Sequence, residues 1–259
     1  MGRKIIDLSI AIEAGLPSDP PMMIPQIEYT SHSQGAEQMT QFFPGLKKEQ
    51  LPEGLGWAVE SITLTTHSGT HLDAPFHYHP KMDKGKPAMT IDEIPLEWCF
   101  QDGVLLDFSD KKDGERITAR DVEKKLAYLQ YTLKPLDIVL VRTGADAAWG
   151  KPEYLIKGGG MTRESTLYLL ERGIKVVGID AWSWDRPLPF LAQEFQQKGD
   201  PAVIWEAHFA GIERGYCHME KMAHLDQIPK PYGFKVACFP IKIKNASAGW
   251  TRPVAILED

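Results

Sequence analysis

The sequence has few cysteines and no uncharged apolar run long enough to span a membrane. Three cysteines, Cys99, Cys217 and Cys238, are scattered among 259 residues, and no two form a Cys-x-x-Cys pair. This pattern excludes a disulfide scaffold and favours reduced, buried thiols. Asp7 interrupts the apolar start of the chain, so we expect no signal peptide, no membrane span and a cytoplasmic location.

The sequence also lacks an excess of positive charge. It has 29 lysines and arginines against 35 aspartates and glutamates, which gives a formal net charge of −6. A chain with this balance has no overall positive field to attract a phosphate backbone or anionic lipids. We therefore expect no nucleic acid and no membrane surface as a partner.

The hydrophobic fraction of 43% is that of an ordinary globular protein with a sizeable core. Cap residues and periodicity predict helices over residues 118–129, 162–171 and 202–213. Runs rich in β-branched residues predict strands at 5–12, 57–66, 103–108, 137–142, 175–180, 234–244 and 254–257. Strands at both ends with α/β alternation between them predict one mixed α/β domain over residues 1–259.

Residues 17–56 differ from the rest of the chain because they contain six prolines and four glycines. This density is expected to interrupt helices and strands alike. A connection of this length in a compact domain is typical of a functional lid or a binding loop. A surface insertion is the alternative.

Four of the eight histidines fall between positions 67 and 79. His67 and His71 are four residues apart, which on a helix would place both rings on one face. The intervening residues 68–70 are weak helix formers, so a tight turn after a strand is the favoured structure, with both rings converging beside Asp73. Two imidazoles and a carboxylate suit Zn²⁺ or Mn²⁺, and the lack of a nearby cysteine favours an open, catalytic site.

The remaining histidines of this cluster are spare donors. His77 could act as a general base, because an unperturbed imidazole titrates near neutral pH. His79 directly precedes Pro80, which favours a supporting or structural role.

Further ligands are expected in residues 205–226. His208 and Glu220 would lie about 18 Å apart on one continuous helix, so both can bind one site only if the chain reverses near Gly211 and Gly215. Glu220 and His224 are an alternative pair at i, i+4 spacing. Spacing alone leaves both alternatives open.

Several aromatic residues could form the wall of a pocket for an aromatic or cyclic substrate. Core packing is the alternative for each of them. The pair Trp182 and Trp184 lies in a polar segment that ends in proline, so for these two residues a substrate wall and core packing are equally expected. The candidates are Phe42, Phe43, Trp57, Trp182, Trp184 and Trp205.

The pattern His-x3-His-x-Asp-x-Pro-x-His resembles the signature of the metal-dependent cyclase family, which includes bacterial kynurenine formamidases and isatin hydrolases. Other segments are similar to that family in the same order, so the resemblance covers nearly the whole chain. These segments are residues 5–9, 137–144, 178–180, the His208-x11-Glu220 spacing and residues 240–244.

The resemblance implies a swivelling β/β/α fold with a mixed sheet, assembled as a homodimer or homotetramer. By resemblance His77 is the catalytic base, and His224 has no ligand role. The long Pro-rich loop and the extra donor His218 depart from the family pattern, so the substrate and the number of metal ions, one or two, stay open. The implied metal ligands are His67, His71 and Asp73 for one ion, with Asp73 bridging to a second ion held by His208 and Glu220.

The leading hypothesis is a metal-dependent hydrolase that cleaves a C–N bond in a cyclic amide or an aryl formamide by activating a water molecule. The apolar residues Phe42, Phe43 and Trp57, beside solvated lysines, favour a weakly charged ring as the small-molecule substrate. Kynurenine formamidase proper is one alternative. A cupin-like dioxygenase is suggested by His77-Tyr-His79 but lacks the expected glutamate, and a non-catalytic metal-binding protein is disfavoured because His77 is present.

Overall fold

The computed structural model describes residues 2–258. Its strands are β1 (Arg3–Asp7), β2 (Gln26–Thr30), β3 (Val59–Thr63), β4 (His71–Asp73), β5 (Lys81–Met82), β6 (Lys86–Pro87), β7 (Phe100–Asp107), β8 (Arg116–Ile117), β9 (Ile138–Arg142), β10 (Gly160–Met161), β11 (Val176–Ile179), β12 (Cys217–Glu220), β13 (Tyr232–Ala237), β14 (Ala248–Trp250) and β15 (Val254–Glu258). Its α-helices are α1 (His32–Phe42), α2 (Pro75–Tyr78), α3 (Ala119–Leu129), α4 (Arg163–Leu170), α5 (Leu188–Lys198) and α6 (Glu206–Glu213).

Nine of these strands form one sheet in the order β1-β15-β13-β7-β9-β11-β12-β4-β14. The central strands β7, β9, β11 and β12 run parallel, whereas the strands outside them pair antiparallel. Successive side chains of β9 enter opposite clusters: Val139 and Val141 lie on the face that α3 and α4 cover, and Ile138 and Leu140 lie on the other. The central parallel strands β9, β11 and β12 are therefore buried on both faces, as in other α/β proteins, whereas the outer strands β1 and β13 have exposed residues. The predicted mixed α/β fold is confirmed.

Local cap chemistry explains the helices that the sequence predicts well. Thr118 and Thr162 cap α3 and α4, each through a reciprocal capping box, so both predicted helices are confirmed. The helix predicted from residue 202 begins only at Glu206, because a short 3₁₀ turn occupies 201–203 and Trp205 adopts a left-handed backbone conformation. Helix α5, which starts directly after Pro187, is missing from the prediction.

The Pro-rich segment is more regular than expected. The prediction that residues 17–56 interrupt helices and strands alike does not hold throughout, because β2 and the 11-residue helix α1 lie within them. Helix α1 begins with a capping box, in which the side chains of Ser31 and Gln34 each accept a hydrogen bond from the other residue's backbone N–H. Strand β2 pairs with β3 in a separate two-stranded sheet whose β3 residues are all exposed.

Two further expectations concern burial. The three cysteines are free and buried, as the sequence predicts. Among the described residues, none of the helices combines the length and the apolar character that crossing a bilayer requires.

Candidate metal centre

The pairing of β4 with β12 brings four functional side chains to one face of the sheet. In this antiparallel register His218 lies opposite Asp73, and Glu220 lies opposite His71. Because side chains alternate along a strand, these four residues point to one face while Leu72 and Met219 point into the core on the other. His218 Nε2 lies 3.1 Å from both Asp73 Oδ2 and Glu220 Oε1, and His71 Nε2 lies 3.3 Å from Asp73 Oδ1.

A turn before β4 adds His67 to this array. Gly69 allows the turn because its φ is +65°, and a Cβ there would meet Ile12 at 2.9 Å. His67 Nδ1 consequently lies 2.9 Å from Asp73 Oδ1. The expectation of a tight turn that makes His67 and His71 converge on Asp73 is confirmed.

His208 reaches the array from the first turn of α6. Its Nε2 lies 3.6 Å from Glu220 Oε1, and Trp205 stacks on its ring at a centroid distance of 4.4 Å. The chain reverses between the two ligand candidates, because α6 ends at Glu213 and β12 begins at Cys217. This reversal meets the condition that spacing sets for His208 and Glu220 to share a site.

Four of the clustered histidines have a second partner, which contacts the ring nitrogen that faces away from Asp73 and Glu220. His71 Nδ1 donates to the carbonyl of Gly69 at 2.8 Å, and His208 Nδ1 donates to the buried carboxylate of Asp185. The outer nitrogens of the other two rings contact the hydroxyls of Ser247, for His67, and of Tyr78, for His218, both at 3.1 Å. Such partners fix ring orientation and leave the inner nitrogen free, which is the usual arrangement around a metal ion.

His77 is placed differently. It lies on the short helix α2, its Nε2 is 3.8 Å from Asp73 Oδ2, and within residues 2–258 neither ring nitrogen forms a hydrogen bond. Its ring is half-buried between the rings of His67 and Trp205, at centroid distances of 4.1 and 5.2 Å. Burial lowers the pKa of His77 to about 4, which outweighs the attraction of Asp73. This direction favours the neutral imidazole, in which one ring nitrogen carries a free lone pair.

The two buried carboxylates of the centre, Asp73 and Glu220, favour positive charge beside them. Burial opposes ionisation of Asp73, yet the imidazoles around it hold its pKa well below the usual range. Burial would likewise lower the pKa of His218, but Asp73 and Glu220 raise it to about 9. Despite its burial, Glu220 has its pKa lowered to about 2 by His218.

The donor atoms fit a divalent cation. Asp73 is fully buried, and the rings of His67 and His218 approach its oxygens to 2.9 and 3.1 Å. Among the described residues, however, neither Asp73 oxygen nor His71 Nε2 takes part in a hydrogen bond of good geometry. Buried polar atoms without partners are costly unless something else satisfies them. His218 Nε2 and Glu220 Oε1 do form a hydrogen bond with each other, at 3.1 Å. Converging imidazole and carboxylate donors, several of them without a hydrogen-bond partner, are what Zn²⁺ or Mn²⁺ would bind.

Comparison with known proteins identifies the family. The Cyclase family model matches residues 6–186, which is more than half of the chain. This chain belongs to the cyclase family. Among curated proteins it is similar to kynurenine formamidases of Bacillus thuringiensis (strain Al Hakam) and Bacillus anthracis, with 26% identity over 127 residues, 49% of this chain and 53% of each relative. The chain thus spans about half the length of the curated relatives it matches.

Solved structures show that the family fold extends over the whole chain. Isatin hydrolase A from Labrenzia aggregata, bound to benzyl benzoate, has a TM-score of 0.76 at 23% identity, over 99% of this chain and 94% of that one. An isatin hydrolase bound to the product analogue thioisatinate has a TM-score of 0.77 at 20% identity, over 99% and 93%. The expected cyclase-type fold is therefore confirmed.

The predicted aromatic wall residues of this cyclase-family chain lie in different environments, and their role in substrate binding stays a prediction. Trp184 is fully buried, and its indole stacks on the His218 ring and donates a hydrogen bond to Thr166, so it packs behind the centre. Trp182 donates its N–H to Asp19 at 2.7 Å. Trp205 is the candidate that contacts both His77 and His208.

The other aromatic candidates lie on the segment before the centre. Phe42 and Phe43 are 71% and 53% exposed at the end of α1, and the Phe42 ring packs against Trp57 at 5.6 Å. Within the described part of the chain, the ring contacts of Phe42 and Trp57 do not reach the histidine cluster. Their role as a substrate wall stays a prediction.

Two of the remaining histidines stand outside the centre of this cyclase-family chain. His224 is exposed and its Nδ1 contacts the Asp7 carbonyl, whereas His79 contacts the backbone of Lys81. The placement of His224 agrees with its having no ligand role.

Sequence reasoning missed three supporting groups. Asp185 and Ser247 hold the outer nitrogens of His208 and His67, and Lys221 donates to the His67 carbonyl at 2.9 Å. It also left His218 without a role, although His218-x-Glu220 is the alternation that puts two strand side chains on one face.

Proposed function

We propose that this chain is a metal-dependent hydrolase that cleaves a C–N bond in a cyclic amide or an aryl formamide. Family membership and the activities named for its relatives support this class of reaction. The proposal rests on a contrast between two kinds of histidine. Four of them have a hydrogen-bond partner on the ring nitrogen that faces away from Asp73 and Glu220, whereas the ring nitrogens of His77 have none among residues 2–258. The former are arranged as ligands and the latter as a base.

In this proposal the chain's residues hold the cation and move one proton. Asp73, together with the histidines and Glu220, would bind one or two ions of Zn²⁺ or Mn²⁺. Such an ion supplies a nucleophilic water at neutral pH and polarises the amide carbonyl. His77 would take the proton of the attacking water at Nε2 and return it to the leaving nitrogen, with no covalent bond between enzyme and substrate.

Trp205 would form one wall of the substrate site. Its half-buried indole contacts the proposed base on one side and stacks on His208, so a flat substrate ring bound against it would lie beside the reacting groups. Its backbone φ of +53° is unfavourable for a bulky residue, and such strain is often found at functional sites.

Metal removal and a substrate panel test the proposal. Chelated protein should lose its hydrolytic activity, and Zn²⁺ or Mn²⁺ should restore it, measured on isatin-type cyclic amides, imides and aryl formamides. Full activity without metal would contradict the proposed chemistry. Tight metal binding without turnover of any amide would instead favour the non-catalytic alternative.

We further propose that the chain works as a homodimer or homotetramer. The β2–β3 pair and α1 expose large apolar side chains in a single copy, including Tyr29 (69%), Phe42 (71%) and Ile62 (51%). Exposed apolar patches of this kind mark interaction surfaces. Light scattering on purified protein should give two or four copies, and a monomer at micromolar concentration would contradict this.

A further inference from the structure

The donors around Asp73 form two groups that differ in number and exposure. One group comprises Asp73, His208, His218 and Glu220, all buried, with their ligand atoms within 4.8 Å of one another. The other group with ligand atoms this close together comprises His67, Asp73 and His77, and its two histidine side chains are 19% and 21% exposed. His71 is fully buried between the two groups, with its Nε2 3.3 Å from Asp73 Oδ1 and 3.7 Å from Glu220 Oε2. The first group therefore offers four enclosed donors, and the second opens toward solvent.

We propose that His218 completes a closed cation site with Asp73, His208 and Glu220, separate from the more open site of His67, His71 and Asp73. The inference rests on the proposed function, since both need a divalent cation at Asp73. It goes beyond the ligand set that the family resemblance implies, because His218 is absent from that set. Asp73 would contribute one carboxylate oxygen to each site.

The distances within the closed group suit direct ligation. Bonds of about 2.0–2.2 Å to a tetrahedral ion put neighbouring ligand atoms about 3.3–3.6 Å apart. His218 Nε2 lies 3.1 Å from its two carboxylate neighbours, and His208 Nε2 lies 3.6 Å from Glu220 Oε1. One ion could contact all four donors after small side-chain movements.

Surrounding residues fix His218 and Glu220 as they would fix metal ligands. The outer Nδ1 of His218 faces the Tyr78 hydroxyl at 3.1 Å, and its ring stacks on that of Tyr78 at 5.1 Å. Glu220 Oε1 accepts a hydrogen bond from the backbone N–H of Trp184 at 2.8 Å. These partners orient both groups before any ion arrives, which favours high affinity.

The two sites would then have different tasks. A site with four protein ligands is typical of structural zinc, whereas a site with three leaves a position for water and substrate. The closed site would hold its ion tightly and stabilise the charge of Asp73. The open site, beside His77, would be the one where substrate is turned over.

Metal titration of the chelated protein separates the two sites without using activity. Calorimetry with Zn²⁺, supported by elemental analysis, should show two ions per wild-type chain with distinct affinities. His218→Ala should weaken the tighter phase by at least about 100-fold and leave the weaker one in place, whereas His67→Ala should do the reverse. His224→Ala, an exposed histidine outside the centre, is the matched control and should titrate like wild type.

The failures are distinguishable. If the wild type binds no Zn²⁺, this inference and the proposed function fail together. If it binds two ions and His218→Ala leaves both affinities unchanged, only the closed site is wrong. His218→Gln preserves much of the side-chain volume should the alanine variant misfold. In addition, X-ray absorption of His67→Ala with one equivalent of Zn²⁺ should count at least two imidazoles, and a single imidazole would overturn the proposal.

Discussion

His77 stands apart from the other histidines of the centre because no group among residues 2–258 forms a hydrogen bond with its ring nitrogens. A ligand needs a fixed tautomer, whereas a base must accept and release a proton, so the free nitrogens and half-buried position suit the second task. His77→Ala should retain its metal content and lose about 10²- to 10⁴-fold in kcat. Elemental analysis together with steady-state kinetics measures both. A metal-free variant would place His77 among the ligands instead.

Trp205 provides a second prediction at a single residue. Its indole stacks on His208 with the ring planes 3° apart and meets His77 edge-on, so a substrate ring would add one more aromatic contact. Such a contact is worth about 1 kcal/mol, and Trp205→Ala should therefore raise KM about fivefold to tenfold with a smaller change in kcat. Trp205→Phe, which keeps a ring, should recover most of the loss. Equal KM values for the two variants would contradict a role in binding.

Among the elements, the Pro-rich segment is fixed to the centre by a buried ion pair. The Lys221 ammonium contacts the Asp19 carboxylate, both side chains are at most 3% exposed, and the same ammonium donates to the His67 carbonyl. Removing Lys221 leaves the buried Asp19 charge without an ionic partner and with only the Trp182 N–H to stabilise it, so Lys221→Met should lower the free energy of unfolding by about 3 kcal/mol. The double variant with Asp19→Asn should lose less than the sum of the two single variants.

Denaturant unfolding measures these differences. The pair Arg3–Glu258 is a matched control, because both side chains are about two-thirds exposed and Arg3→Met should cost less than about 1 kcal/mol. Similar losses in the buried and exposed variants would show that the Asp19–Lys221 pair does not anchor the segment.

How far each element was predictable depends on whether its signal is local. The capping boxes at Thr118 and Thr162 involve residues three apart, and the helices that follow them were predicted correctly. Helix α1 has the same signal in Ser31 and Gln34, and residues 26–43 contain no proline, but the prolines on either side of this stretch obscured it. The proline and glycine content averaged over residues 17–56 concealed the proline-free residues 26–43, which form β2 and α1.

The same distinction applies to the candidate centre. His67, His71 and Asp73 lie within seven residues, so their convergence follows from one turn and was predictable. The place of His218 depends on the register between β4 and β12, strands that are more than 140 residues apart in the chain. The alternation His218-x-Glu220 shows which two side chains share a face, but the partner strand and its register depend on the packing of the whole sheet.

For the molecule as a whole, a cluster of charges away from the centre predicts behaviour in acid. The carboxylate of Glu194 on α5 accepts hydrogen bonds from Arg116 at 2.8 Å and from Lys198 at 2.7 Å, and it also pairs with Arg186. It thus links α5 to β8 and to the segment that precedes α5. These partners, Arg116 first, lower the pKa of Glu194 to about 2 from its ordinary value of 4.5. A carboxylate with a lowered folded-state pKa stabilises the fold above pH 4.5 and loses that contribution as the pH falls toward 2.

Glu194→Gln should therefore destabilise the protein by about 2 kcal/mol at pH 7, and its difference from wild type should shrink as the pH drops from 4.5 toward 2. Urea unfolding at several pH values measures this difference. The exposed Glu123 provides the control, since Glu123→Gln should have little effect at any pH. A difference for Glu194→Gln that does not depend on pH would assign the effect to packing alone.

The distribution of charge over the whole molecule also bears on the substrate. N-formylkynurenine carries an ammonium and a carboxylate, so an enzyme specific for it needs a free cation near its aromatic wall. Here Lys221 pairs with Asp19 and donates to the His67 carbonyl, Arg186 pairs with Glu194, and Lys48 donates to the Ser33 hydroxyl, whereas Lys47 is exposed to solvent. A compact, weakly charged ring would require no such partner, and burial of its apolar surface would stabilise the complex.

We therefore expect a higher kcat/KM for isatin-type cyclic amides than for N-formylkynurenine, by at least about tenfold, in side-by-side kinetics with the metal-loaded protein. Formanilide, an aryl formamide without the charged side chain, separates the two causes. If formanilide is also hydrolysed faster than N-formylkynurenine, the absence of a partner for the substrate's charges limits the reaction. If only cyclic amides react well, the ring itself is selected. A clear preference for N-formylkynurenine over both would instead place this chain with the kynurenine formamidases.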